Sequence, residues 1–249
     1  MEDVQFGVLH NRKTAGTALK EVIAQQKQRT PFMKVQCFDH AMTLPQFITH
    51  YPTAKAIFFV RDPISRFVSG FYSRLREGRP RYYFPWSSAE ARAFKRFNHP
   101  NLLAEALSSF NPLKRWFAIS AMKSIGHVRH TYEDFLGPVG FLQSHVQRIA
   151  FIGHQKEFEA DLIKLRAMLA IEADIVAPHD EIRAHRNPKE LDKQLSETAI
   201  KNLQKWYRRD FEIYEWCLAW RQYDHSHSRE ELIRGSRPSP GWQLVCSQG

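Results

Sequence analysis

At 249 residues with 43% hydrophobic side chains, the chain is long and apolar enough for one sizeable core, which excludes a disordered or fibrous protein. No long uncharged apolar run offers a membrane span, and the three cysteines (Cys37, Cys217 and Cys246), odd in number and without metal-ligand spacing, suit reduced thiols better than a disulfide framework. A formal charge of +10 points to an anionic partner (nucleic acid, an anionic polysaccharide or an anionic cofactor) unless the excess serves only solubility, so the placement of the basic residues has to decide.

Val4, Phe6, Val8 and Leu9 read as a short first strand. It begins almost at Met1, which leaves no room for a signal peptide and leads to the expectation of a cytoplasmic protein. The polar turn His10-Asn11-Arg12-Lys13-Thr14 and then Ala15-Gly16-Thr17 follow, before an amphipathic helix with Leu19, Val22 and Ile23 on one face. A strand that runs through a Lys/Thr/Gly turn into a helix start can cradle phosphate. Backbone amides at the helix N-terminus point at the anion, Gly16 allows close approach and Lys13 adds a full charge. The nucleoside-triphosphatase signature Gly-x-x-x-x-Gly-Lys-Ser/Thr is absent. On the turn alone, an anion cradle and an ordinary capped helix start fit equally well.

Met33 to Phe38 reads as a second strand, with Asp39 and His40 at its C-terminal end, and Leu44 to His50 as a short helix capped by Thr43. Ala56 to Val60 is a continuous apolar run, the pattern of a central strand covered on both faces. Arg61 ends it. Asp62 as N-cap and Pro63 at the first helical position then open a helix whose core stripe is Ile64, Phe67, Val68, Phe71 and Leu75. Ser65, Ser69, Tyr72 and Arg76 lie on an adjoining face, so Arg61 and Ser69 can converge on one anion; taken alone, a helix-flanking charge and a small surface residue account for them better.

From Gly78 to Gly140 the chain is rich in aromatic and basic residues, with helical pieces near Leu102–Leu107, Leu113–Met122 and Tyr132–Leu136. This reads as a helical insertion, about residues 78–145, lying over the sheet; its rings and cations suit sugars or other anionic ligands, or simply pack as a lid. Arg148 to Gly153 reads as a fourth strand and Glu157 to Ala170 as an amphipathic helix. A basic loop with Arg186 follows, and then one long helix from about Ser196 to Arg221. Asp210 sits on the apolar stripe of that helix, where a carboxylate requires an arginine partner. Residues 225–249 read as a flexible tail after a domain spanning 1–224. Strands alternating with helices predict an α/β fold of three layers with a mainly parallel sheet, and such sheets bind ligands at the strand C-termini. Lys13, His40 and Arg61 would meet there.

These residues together resemble a known family. HNRKTAGT is similar to the 5′-phosphosulfate loop of sulfotransferases that use PAPS (3′-phosphoadenosine 5′-phosphosulfate), closest to the carbohydrate-acting branch of heparan and chondroitin type. FFVRDPISRFVSGFY resembles the 3′-phosphate motif of that family, and FIGHQKEFEADLIKLRAML and WYRRDFEIYEW match two later stretches in the same order. Arg12 stands where the family usually has proline, and the glutamate of the third stretch appears only as Glu157. The resemblance implies a P-loop-like phosphosulfate-binding turn in which Arg12, Lys13, Thr14, Ala15, Gly16, Thr17 and Ala18 contact the donor. Arg61, Ser69 and, by position, Arg186 would hold the 3′-phosphate. Lys13 would be catalytic together with His40 as base, and PAP would be the product. It further implies a hydroxyl-bearing acceptor of saccharide type and a bacterial enzyme. No His, Cys or carboxylate cluster has metal-ligand spacing and the basic residues are scattered, so neither a metal nor a nucleic-acid partner is expected. An ATP-dependent kinase and a basic nucleic-acid-binding protein are the alternatives; the first lacks its loop signature and the second a continuous basic stripe.

Overall fold

A computed structural model describes residues 4–177 and 191–222. Four strands, β1 (Phe6–Leu9), β2 (Val35–Cys37), β3 (Lys55–Val60) and β4 (Ile149–His154), form one sheet of order β2-β1-β3-β4. Every pairing is parallel, with Val8 opposite Cys37, Leu9 opposite Phe58 and Val60 opposite His154. The sheet is thus wholly parallel where the sequence reading has it mainly so. Parallel neighbours need crossovers, and the helices that supply them cover both faces.

Alternation along β3 sorts the core. Ala56, Phe58 and Val60 face one cluster, and Ile57 and Phe59 face another. The first cluster is completed by Leu44 and Phe47 of α2 (Leu44–His50), by Tyr132, Phe135, Leu136 and Leu142, and by Ile213, Trp216 and Cys217 near the end of the described chain. The second is closed by Leu19, Val22 and Ile23 of α1 (Gly16–Arg29) and by Leu162 and Leu165 of a helix that follows β4. Two covered faces make the three-layer α/β fold expected from the sequence.

Beside the sheet, α3 (Pro63–Leu75) seeds a third, purely helical cluster. Phe67, Val68 and Phe71 pack there against α4 (Ser88–Arg96), α5 (Pro100–Ala106), α6 (Pro112–Ser124) and the short α7 (Gly126–Arg129). α3 begins as the sequence dictates, with the Asp62 carboxylate accepting from the Ser65 amide at 2.7 Å and Pro63 in the first turn. The aromatic-rich stretch after Gly78 therefore divides. Helices α4 to α7 build on α3, whereas α8 (Tyr132–Leu136) and α9 (Val139–Ser144) lie on the sheet face.

After β4, α10 (Phe158–Leu169) is entered through a short 3-10 turn over Gln155–Glu157. The long C-terminal helix of the sequence reading is two helices, α11 (Glu197–Trp206) and α12 (Arg208–Gln222). They meet at Tyr207, whose ring is buried and whose hydroxyl donates to the Val128 carbonyl at 2.8 Å. The apolar stripe runs unbroken across this bend, which is why periodicity alone does not reveal it. Arg186 and the tail from 225 onward lie outside the described residues.

Candidate active site

All four strands run the same way, so the turns after β1, β2, β3 and β4 share one edge of the sheet. In an order of 2-1-3-4 the chain departs in opposite directions from β1 and β3, and the crevice between these two strands is the natural ligand position. A cleft of about 1460 Å³ opens there. Its walls include Lys13, Thr14, Ala15, Gly16, Thr17 and Ala18 from the first turn, Asp39 and His40 from the second, and Arg61 and Ser69 from β3 and α3. Of the residues singled out from sequence, Arg12 is on the turn but not in the cleft wall. The charges acting on it are those of Arg129, Arg66 and Asp39.

The β1–α1 turn is made without a glycine at its strained positions. Lys13 and Ala15 both carry positive φ, 64° and 72°, a region that L residues enter at a penalty and that clusters at functional sites. Gly16 is constrained from a second side. A Cβ there would come within 2.0 Å of the His10 ring, so the glycine also makes room for an imidazole. No side chain caps α1, and the Ala18 amide turns back to the Ala15 carbonyl at 3.1 Å. That leaves the amides of Ala15, Gly16 and Thr17 as the orphan donors of the first turn. The Thr14 hydroxyl is buried and donates to the Asn11 carbonyl at 3.0 Å, so its proton is already used within the turn.

Positive charge collects at this turn. Burial pushes the Lys13 ammonium down to about 7, and the neighbouring positive charges of Arg61 and Arg76 push in the same direction. Arg61 extends one guanidinium nitrogen to 3.4 Å from the Lys13 carbonyl and donates from Nε to the Ser65 hydroxyl at 2.8 Å. The two cations therefore flank a single space.

Arg61 is itself held from behind. The Tyr132 hydroxyl accepts from the Arg61 amide at 2.7 Å and donates to the Arg61 carbonyl at 2.6 Å. Arg66 lies 4.4 Å over the Tyr132 ring and donates to Asp210 at 2.5 Å, both members of the pair being buried. Asp210 thus has the arginine partner that its position on the apolar stripe demands. Burial raises its carboxyl pKa, and Arg66 opposes that shift only in part.

His40 stands across the cleft. Its Nδ1 is 2.7 Å from the His10 carbonyl. A carbonyl can only accept, so Nδ1 carries the proton and Nε2 keeps its lone pair. Burial lowers the pKa of His40, which keeps the ring neutral near neutral pH. The His10 ring packs 4.2 Å from that of His40 and is driven down to about 2, mainly by burial and then by the charge of His40.

A third imidazole, His127 of α7, also lines the cleft, with its pKa lowered by burial and by the charge of Lys13. It reaches the cleft because Gly70 on α3 has no Cβ, which would lie 3.0 Å from that of His127. Sequence reading places His10 in the turn without a role, and nothing local distinguishes His127 among 12 histidines. Gln155, Lys156 and Glu157 complete the wall below β4. Arg221 braces that corner, donating to Glu157 at 2.5 Å and to Asp161 at 2.7 Å.

The profile of the Sulfotransferase family matches residues 8–216. The chain belongs to the sulfotransferase family. No curated protein matches it. The matched span of this sulfotransferase takes in the end of β1, all of β2, β3 and β4, and every cleft residue named above, so the family's sulfuryl-transfer chemistry belongs to the structural core. Among the described residues of the sulfotransferase, no group of three or more His, Cys, Asp or Glu is placed to hold a metal ion. None of its described helices is long and apolar enough to cross a membrane.

Proposed function

We propose that this sulfotransferase moves the sulfuryl group of PAPS to a hydroxyl on a saccharide-containing acceptor, in the cytoplasm, with His40 as base. The observation that carries this reading is that Lys13 and Arg61 flank one space at the β1/β3 crevice. PAPS would supply an activated sulfuryl group on a phosphate leaving group, with a second phosphate on the 3′ position of its ribose. The cleft residues suit such a polyanion: three orphan amides at the start of α1, a desolvated lysine and a buried arginine converge on it.

In this reading the P-loop-like turn, through the amides of Ala15, Gly16 and Thr17, holds the 5′-phosphosulfate. Thr14 and Ala18 shape the turn from within. Arg61 and Ser69 take the 3′-phosphate, with Arg186 as a further contact and Arg12 adding charge from outside the wall. His40 Nε2 accepts the acceptor's hydroxyl proton as the oxygen forms its bond to sulfur. The sulfur–oxygen bond to the phosphate breaks at the same time, and Lys13 meets the charge that develops on the departing oxygen. Positioning and charge stabilisation do most of the work in transfers of this kind. The saccharide assignment is supported by Tyr82 and Phe84, exposed rings at the cleft mouth, and by Arg81, whose guanidinium lies 5.3 Å over Tyr82.

Thermal shift tests the donor. A ligand stabilises only the state it binds, so PAP is expected to raise Tm well beyond ATP or AMP. An equal response to all three would refute selection by Arg61 and Ser69.

A further inference from the structure

Away from the cleft, the α5–α6 hairpin ends in a tip of unusual composition. Phe110 is 104% exposed, and Leu113 and Trp116 are 60% exposed each. Phe117 sits half-buried behind them, 5.0 Å ring to ring from Trp116, with the Arg96 guanidinium 4.0 Å over its face. Leu113, Trp116 and Phe117 share one stripe of α6, and Phe110 stands at the turn that enters it. Ala118, Ala121 and Met122 take the opposite stripe into the helical core. Phe117 leans on that core, whereas Phe110, Leu113 and Trp116 do not hold the fold together; their large side chains are presented to the surroundings.

Charge singles out the same region. Between residues 91 and 124 the chain has six Lys and Arg residues and one carboxylate, Glu105. All six of these cations are exposed, and Glu105 is engaged by the Ser196 hydroxyl at 2.7 Å. A tip that is both strongly basic and tipped with Phe, Leu and Trp needs a partner that accepts both. A polysaccharide or nucleic acid would take the cations and leave Phe110 and Leu113 in water. A second copy docked by the same face would bring two positive fields together. The interface of an anionic bilayer takes cations at its headgroups and Phe, Leu and Trp among its upper acyl chains.

We propose that the 110–117 tip docks the protein peripherally on an anionic lipid surface. This surface is independent of the donor site, so either reading can fail without the other. The full chain is incubated with sedimentable vesicles of phosphatidylcholine alone or with phosphatidylglycerol added. Binding to the anionic vesicles is expected to exceed binding to the neutral ones by about tenfold or more and to fall with added salt. The Phe110→Ser/Trp116→Ser double variant is expected to bind about tenfold more weakly, with its far-UV circular dichroism and cooperative thermal unfolding unchanged as the check on folding. Equal binding of the variant and the parent chain would overturn the proposal. So would absence of binding to either vesicle, or a dimer seen by light scattering that the variant abolishes.

Discussion

The depressed ammonium of Lys13 gives the donor site a measurable proton linkage. Lys13 falls from 10.5 to about 7 in the folded protein, chiefly through burial and then through Arg61 and Arg76. Each pKa unit is about 1.4 kcal/mol, so the charged amine carries a penalty on the order of 5 kcal/mol in the unliganded cleft. The sign follows from proton counts. Between about pH 7 and the ordinary lysine range the unfolded chain binds more protons at this site than the folded one, so stability rises with pH across that window. Below about pH 7 the full penalty is present. A bound polyanion reverses the balance by restoring the amine towards its ordinary value. PAP binding above pH 7 must then bring one proton with it, and Kd should weaken by about tenfold per pH unit from roughly pH 7 to 9. The phosphates of PAP, with second pKa values near 6, are already ionised in this window. His10, His40 and His127 are all shifted downward and contribute nothing to the slope. Titration calorimetry in buffers of different ionisation enthalpy reads the proton uptake directly, and Lys13→Met should abolish both the uptake and the slope. A Kd that stays flat over the window in the parent chain, or an equal slope in Lys13→Met, would refute the reasoning.

The same geometry sets several further expectations. Lys13→Ala removes a unit charge facing the leaving oxygen, worth about 4 kcal/mol at 4 Å and an effective dielectric of 20, so kcat should fall on the order of a thousandfold. His40→Ala should abolish turnover while PAP still binds; full activity in that variant would remove His40 as the base. Because burial lowers the His40 pKa, the acid limb of kcat/KM should lie below the ordinary imidazole value of 6.5, and a limb at or above it would contradict a buried neutral base. Tyr132→Phe strips both hydrogen bonds from the Arg61 backbone, with an expected loss of roughly 1–3 kcal/mol in unfolding free energy and a raised KM for PAPS. Asp210→Asn leaves Arg66 buried beside a neutral partner, and a loss of about 3–5 kcal/mol by chemical denaturation is expected; no loss would show that the pair is dispensable.

Local signals were the ones the sequence made readable. The Asp62-Pro63 start of α3, the Thr43 cap of α2 and the apolar run Ala56 to Val60 of β3 are each decided by residues within one turn or one strand, and all three are found in the structure. The Ser87/Glu90 capping box that starts α4 was equally local and went unread amid the surrounding aromatics. What depends on distant contacts was not legible. Asp210 announced its need for an arginine, but not that Arg66, 144 residues away, would answer it. His127 enters the cleft wall through a helix packing that Gly70 permits, which no spacing foretells. Nor does any spacing foretell that Gly16 lies against the ring of His10, just after β1.

His10 ties two jobs to one residue. Its ring demands a glycine at position 16, while its main-chain oxygen fixes the tautomer and aim of the imidazole at position 40. Any redesign of the β1–α1 turn would therefore disturb the imidazole proposed as base as well. Laboratory evolution of donor preference in this scaffold should progress through compensated triples at 10, 16 and 40, because single steps in the turn would misdirect the group that activates the acceptor.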